Sequence, residues 1–125
     1  MGQAVVHFEV VGKDHEKLRQ YFGELFGWEY EDSPADAYKL VPLYKGADGV
    51  GIRGAVGGAP EGSEGHVRFY VDVPDVERAL ADADRLGGAR RMGPMDVPGV
   101  GISIGQFTDP EGHLIGLVGP AAQSS

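Results

Sequence analysis

The chain has no cysteine and one tryptophan, and it is short of positive charge: 11 Lys+Arg stand against 19 Asp+Glu, a formal net charge of −8. Without cysteine there are no disulfides and no thiolate chemistry, so any metal would need His, carboxylate or water ligands. The shortage of positive charge argues against sequence-independent binding to nucleic acid or to an anionic membrane surface, both of which require a basic face. No apolar run approaches the ~18 residues of a membrane span, and no basic segment leads into an apolar leader. A soluble cytoplasmic protein is therefore expected, with its acidity serving solubility. The 42% hydrophobic content over 125 residues is enough for one packed domain, or for two small modules sharing a core.

Two strand-then-helix segments organise the chain. Val5 to Val11 is rich in β-branched residues and alternates, with Val6, Phe8 and Val10 on one face and Val5, His7 and Glu9 on the other. Asp14 then suits an N-cap, and Leu18, Tyr21, Phe22, Leu25 and Phe26 recur with helical period up to a stop at Gly27. Three shorter strands are expected at Trp28 to Tyr30, Ala37 to Tyr44 and Val50 to Val56. Residues 57–65, rich in Gly, Pro and Ser, read as a linker. His66 to Val73 repeats the strand, with Val67, Phe69 and Val71 opposite His66, Arg68 and Tyr70. Asp75 caps a second helix with the stripe Val76, Ala79, Leu80, Ala83 and Leu86, and Gly87-Gly88 stops it. Strands around Ala89 to Met92, Gly101 to Phe107 and Leu114 to Val118 complete the pattern. A turn at residues 108–112 joins the last two, and the tail from Pro120 reads as frayed.

An offset of 61 residues links the halves: Asp14 falls on Asp75, Phe8 on Phe69, Val10 on Val71, Gly27 on Gly88, Asp48 on Asp109 and Gly51 on Gly112. One domain, 1–125, built from βαβββ modules 1–58 and 65–119 joined by linker 57–65, is the expected organisation. A small sheet with one helix leaves one face bare. Two such faces can oppose each other around a concave space, which gives an α+β fold: a cup-shaped, half-barrel mixed sheet with the helices outside.

The doubled βαβββ pattern, His7 in the first strand and the closing Asp109-Pro110-Glu111-Gly112-His113-Leu114-Ile115-Gly116-Leu117 resemble the vicinal oxygen chelate superfamily of glyoxalases, bleomycin-resistance proteins, fosfomycin-resistance enzymes and extradiol dioxygenases. The resemblance is nearest to the small glyoxalase-like proteins and covers the chain up to Val118. It implies four metal-ligand positions, two per half. Here these fall on His7, Ala55, Arg68 and Gly116, where a glyoxalase would carry Glu at the last. Arg68 cannot ligate a cation because guanidinium stays protonated. One donor of four remains, so no complete metal site is expected. The alternative is a divalent metal on His7, His66 and Glu9, serving a lyase, isomerase or dioxygenase.

The expected ligand-binding set is His7, Glu9, His66, Arg68 and Tyr70, with no catalytic residue assigned. Five of the six inner-face positions, counting Val5, are polar or ionisable, and burying them without solvent or ligand is expensive. A wet, ligand-accepting cavity accounts for them; a Glu9–Arg68 pair with His7 and Tyr70 as hydrogen-bonded filler is the plainer alternative. His15 and His113 read as solvated and Trp28 as a core or interface anchor. The Gly-Val-Gly pairs at 49–51 and 99–101 open no helix after a strand, and Ser103 sits in no nucleophile elbow. The expected partner is a small anionic or carbonyl-bearing molecule, with a second copy of the chain as a homodimer; a non-catalytic dimerisation module is the remaining reading.

Overall fold

The computed structural model describes residues 2–61 and 63–121. Its elements in chain order are β1 (Val5–Gly12), α1 (His15–Phe26), β2 (Tyr38–Val41), β3 (Arg53–Gly58), β4 (His66–Asp72), α2 (Val76–Arg85), β5 (Ala89–Val97), β6 (Ile102–Thr108) and β7 (Leu114–Pro120). The α+β class is borne out. The chain divides into two compact units, one spanning Val6–Arg68 and the other Phe69–Ser125 together with Met1–Val5, so that β4 begins in one and ends in the other. No helix among the described residues is long and apolar enough to cross a membrane.

In the unit Val6–Arg68, β3 runs parallel to β1 and antiparallel to β2. Asp14 caps α1 by accepting from the Lys17 N–H, and Gly27 closes it with φ 73°, the left-handed conformation that glycine takes without a Cβ penalty. The face toward α1 is aromatic: Trp28 lies 5.3 Å from Phe8, 5.4 Å from Phe22 and 5.2 Å from Phe26, centroid to centroid. Trp28 thus anchors a partly buried aromatic cluster beneath α1. Of the expected helical stripe, Leu18 and Phe22 pack, but Tyr21, Leu25 and Phe26 are more than half exposed and α1 fully buries none of its residues.

Three strand expectations are corrected here. Trp28 to Tyr30 forms no strand: Trp28 is drawn into the aromatic cluster, and Glu31 makes an isolated bridge to Leu40. Of the two weak segments that follow, the first shrinks to Tyr38–Val41 and the second shifts to Arg53–Gly58, so that Gly57 and Gly58, expected in the linker, pair as strand. This half is accordingly β-α-β-β rather than β-α-β-β-β.

In the other unit the strand order is β4-β7-β6-β5, with β4·β7 parallel and the rest antiparallel. The side chain of Asp75 caps α2 by accepting from the Arg78 N–H. Val76 and Leu80 bury against Val73 and Leu117, with Val71, Ala79 and Phe107 at the margin. Leu86, expected on this stripe, is the C-cap and is exposed. The turn repeat recurs in detail: Asp48 accepts from the Val50 N–H and Asp109 from the Glu111 N–H, each two residues ahead. Pro120, expected to fray, ends β7, and the Ala121 N–H donates to the Gly101 carbonyl; the rest of the tail lies outside the described residues.

The matching caps lead to a paired expectation. Asp14→Ala and Asp75→Ala should each lower stability by about 0.5–2 kcal/mol, read from urea unfolding midpoints. A cost at only one of the two would show that its twin contributes nothing to holding its helix.

Candidate functional site

The parallel register sets His7 opposite Arg53 and Glu9 opposite Ala55, on the face of β1 turned away from α1. On β2, Tyr38 lies opposite Gly57, whose missing side chain leaves a lane for the tyrosine: a Cβ there would stand 2.7 Å from Tyr38 Cδ1. Through that lane the Tyr38 hydroxyl donates to Glu9 Oε1 at 2.8 Å. The other carboxylate oxygen, Oε2, accepts from His66 Nε2 at 2.8 Å and from Arg68 Nε at 2.5 Å. Glu9 is only 4% exposed, and the Arg68 side chain 8%. His7 Nε2 lies 3.0 Å from the Tyr38 oxygen. Since that hydroxyl gives its one proton to Glu9, His7 is the donor in this contact and carries its proton on Nε2.

The electrostatics follow from this wiring. Burial pushes the Glu9 carboxyl up, but hydrogen bonds from His66 and Tyr38 and the charge of Arg68 outweigh it and hold Glu9 below its ordinary value of 4.5. Burial pushes His7 below its ordinary 6.5, against a smaller opposing pull from Glu9, so the imidazole is neutral at neutral pH. A charged carboxylate and a neutral imidazole thus share one tyrosine hydroxyl.

Four of the five anticipated residues, His7, Glu9, His66 and Arg68, come together here, and Glu9 and Arg68 form the direct pair of the plainer alternative. Tyr70 belongs to the other unit, where it is buried opposite Gly116. Tyr38 was missed. The signal was there: Tyr38 leads a short alternating strand, and a glycine-rich neighbour makes room for its ring. His113 is exposed on its hairpin, bonded to Asp109, but His15, expected in solvent, is half-buried with Nδ1 accepting from Arg19 at 2.7 Å.

Residues 6–118 match the family described as glyoxalase-like domain. The chain belongs to this family. A curated relative from Mycobacterium bovis, named "Putative glyoxylase CFP32", is 30% identical over 108 residues, which are 83% of this chain and 41% of the relative. The glyoxalase-like chain therefore spans about two fifths of the length of the curated relatives it matches. Among solved structures, a single-residue variant of Streptomyces coelicolor methylmalonyl-CoA epimerase in complex with 2-nitronate-propionyl-CoA shares the fold. It has a TM-score of 0.62 and 18% identity over 94% of this chain and 97% of that one. A glyoxalase/bleomycin resistance protein/dioxygenase superfamily member from Vibrio splendidus 12B01 is similar at TM-score 0.59 and 21% identity, covering 94% and 99%.

The donor set of this glyoxalase-like chain does not fit a divalent cation. Of the four positions that the resemblance implies as ligands, Ala55 and Gly116 carry no donor. A Cβ at Gly116 would stand 2.4 Å from Tyr70 Cδ2, so the aromatic ring occupies the space of a side chain there. In the alternative set, Glu9 already gives both oxygens to Tyr38, His66 and Arg68, and His66 spends Nε2 as a donor. A fixed guanidinium on Glu9 Oε2 repels a second cation. Among the described residues no group of three or more His, Asp or Glu is arranged to hold a metal.

Two outcomes are expected. Glu9→Gln removes the counter-charge of buried Arg68 and should cost about 3–5 kcal/mol. In the wild type, stability should fall on acidification in two windows. The first runs down from pH 6.5 as the unfolded chain protonates His7 before the folded one does. The second runs down from pH 4.5 through the lower folded value of Glu9, and Glu9→Gln should flatten it in a pH series of urea melts. Separately, Gly116→Ala should destabilise by about 1–3 kcal/mol through overpacking, and Tyr70→Ala should make the same alanine nearly neutral.

Proposed function

We propose that this chain binds a small anionic or carbonyl-bearing molecule at the His7–Glu9–Tyr38–His66–Arg68 cluster, without a divalent metal. The observation that carries this reading is the wiring of Glu9. An ionised carboxylate, nearly out of water and held by three side-chain donors, is costly as mere filler, while it fixes its neighbours in one geometry. Ionisable groups gathered and hydrogen-bonded on one sheet face are candidates for binding or proton transfer. In this reading Glu9 pins Arg68 and orients Tyr38, and Tyr38 in turn fixes the tautomer of His7. His66, about a quarter exposed, meets the ligand from solvent. Sequestration needs only these contacts. Where a reaction follows, neutral His7 and the Tyr38 hydroxyl supply the proton path.

Thermal-shift titration with small carboxylates, α-keto acids and aldehydes tests the reading. Ligands that raise the wild-type Tm should lose that effect in His66→Ala and His7→Ala, while both variants stay folded by circular dichroism. Elemental analysis of protein purified without chelator supplies the contrary result. Stoichiometric Zn, Ni, Mn or Fe that disappears in His7→Ala would favour the metal-dependent lyase, isomerase or dioxygenase reading instead.

Self-association is a second reading, supported by a different observation: Tyr21, Leu25 and Phe26 leave an apolar strip of α1 more than half exposed. A homodimer covering that strip should elute at twice the monomer mass and revert to monomer in Leu25→Glu.

A further inference from the structure

Resting on the binding site proposed above, we infer that Arg53 is its charge-selecting residue and that the ligand carries a compact oxyanion, a carboxylate or a phosphoryl group. The register carries the argument. Arg53 is the Cα partner of His7 in the parallel β1·β3 pair, so its side chain leaves the sheet on the same face as His7 and Glu9. The following residue, Gly54, lies on the opposite face, beneath the Phe8 ring. Two positions along, Ala55 faces Glu9 and is fully buried, whereas Arg53 is exposed. The row of residues thus runs from a closed interior at Ala55 to an open end at Arg53.

Charge accounting separates the two arginines of this face. Arg68 donates Nε to a buried carboxylate that balances its charge, so the pair adds little net field beyond itself. The Arg53 side chain makes no hydrogen bond or ion pair among the described residues, although the chain carries a net charge of −8 and offers many carboxylates. An uncompensated guanidinium beside a neutral imidazole makes this end of the site positive. Its planar fork matches the two oxygens of a carboxylate or phosphate in a way that a neutral carbonyl cannot exploit. A ligand held there by its anionic end would direct the rest of its length toward His7.

Isothermal titration calorimetry with three probes tests this: pyruvate, whose only anionic group is a carboxylate, hydroxyacetone phosphate, whose only anionic group is a phosphoryl group, and methyl pyruvate as the neutral comparison. The wild type should bind at least one oxyanion about ten-fold or more tightly than methyl pyruvate. Which of the two wins identifies the anionic group. Arg53→Gln should bring that oxyanion within about three-fold of the ester, and Arg53→Lys should recover part of the preference. If Arg53→Gln keeps the full oxyanion preference, the assignment to Arg53 falls while the binding site stands. Failure of all three probes to bind the wild type would overturn both readings together.

Discussion

A carboxylate taken out of water in the middle of a strand must find donors or give up its charge, and much of the Val6–Arg68 unit is arranged so that Glu9 keeps its charge. Its two oxygens take a tyrosine hydroxyl from β2 and a histidine and an arginine from the start of β4. Each of these side chains is then positioned by Glu9 in return. The glycine opposite Tyr38, the parallel register of β1 with β3 and the alternation of β4 all serve the same convergence. Remove the acid, and a guanidinium with an 8% exposed side chain loses its counter-charge.

The same convergence distinguishes this cluster from a donor set laid out for a cation. In a site built for an ion, the protein supplies only donors, and the cation supplies the charge. Here Arg68 brings the positive charge with it, on the very oxygen of Glu9 that would otherwise be offered to a metal. Polarisation of a bound group would then fall to a guanidinium, which orients through hydrogen bonds and does not accept electron pairs.

Much of this was legible in the sequence where one physical rule dominates. Both helices declared themselves through an aspartate cap, a period of 3.6 and a glycine stop, and the caps proved real in both copies. Period two alone put His7 with Glu9 and His66 with Arg68. Legibility failed where glycine thins the side-chain signal. The segment from Trp28 to Gly58 holds fewer strand residues than its alternation suggested, and Tyr38 was passed over because nothing local ties β2 to β1. Arg53 shares the parity of Ala55, a position already singled out, and lay two residues away from notice. Stripe membership also overstated burial: Leu25 and Leu86 keep the helical period yet stand in solvent, because periodicity says which way a residue faces and not whether anything covers it.

The ring of Tyr70 over Gly116 has a consequence for how such a protein can change. Any side chain added at Gly116 meets the aromatic plane at once, and shrinking the aromatic first opens a hole in the interior. The two positions therefore behave as a single unit of volume, in which neither residue can be exchanged without regard to the other.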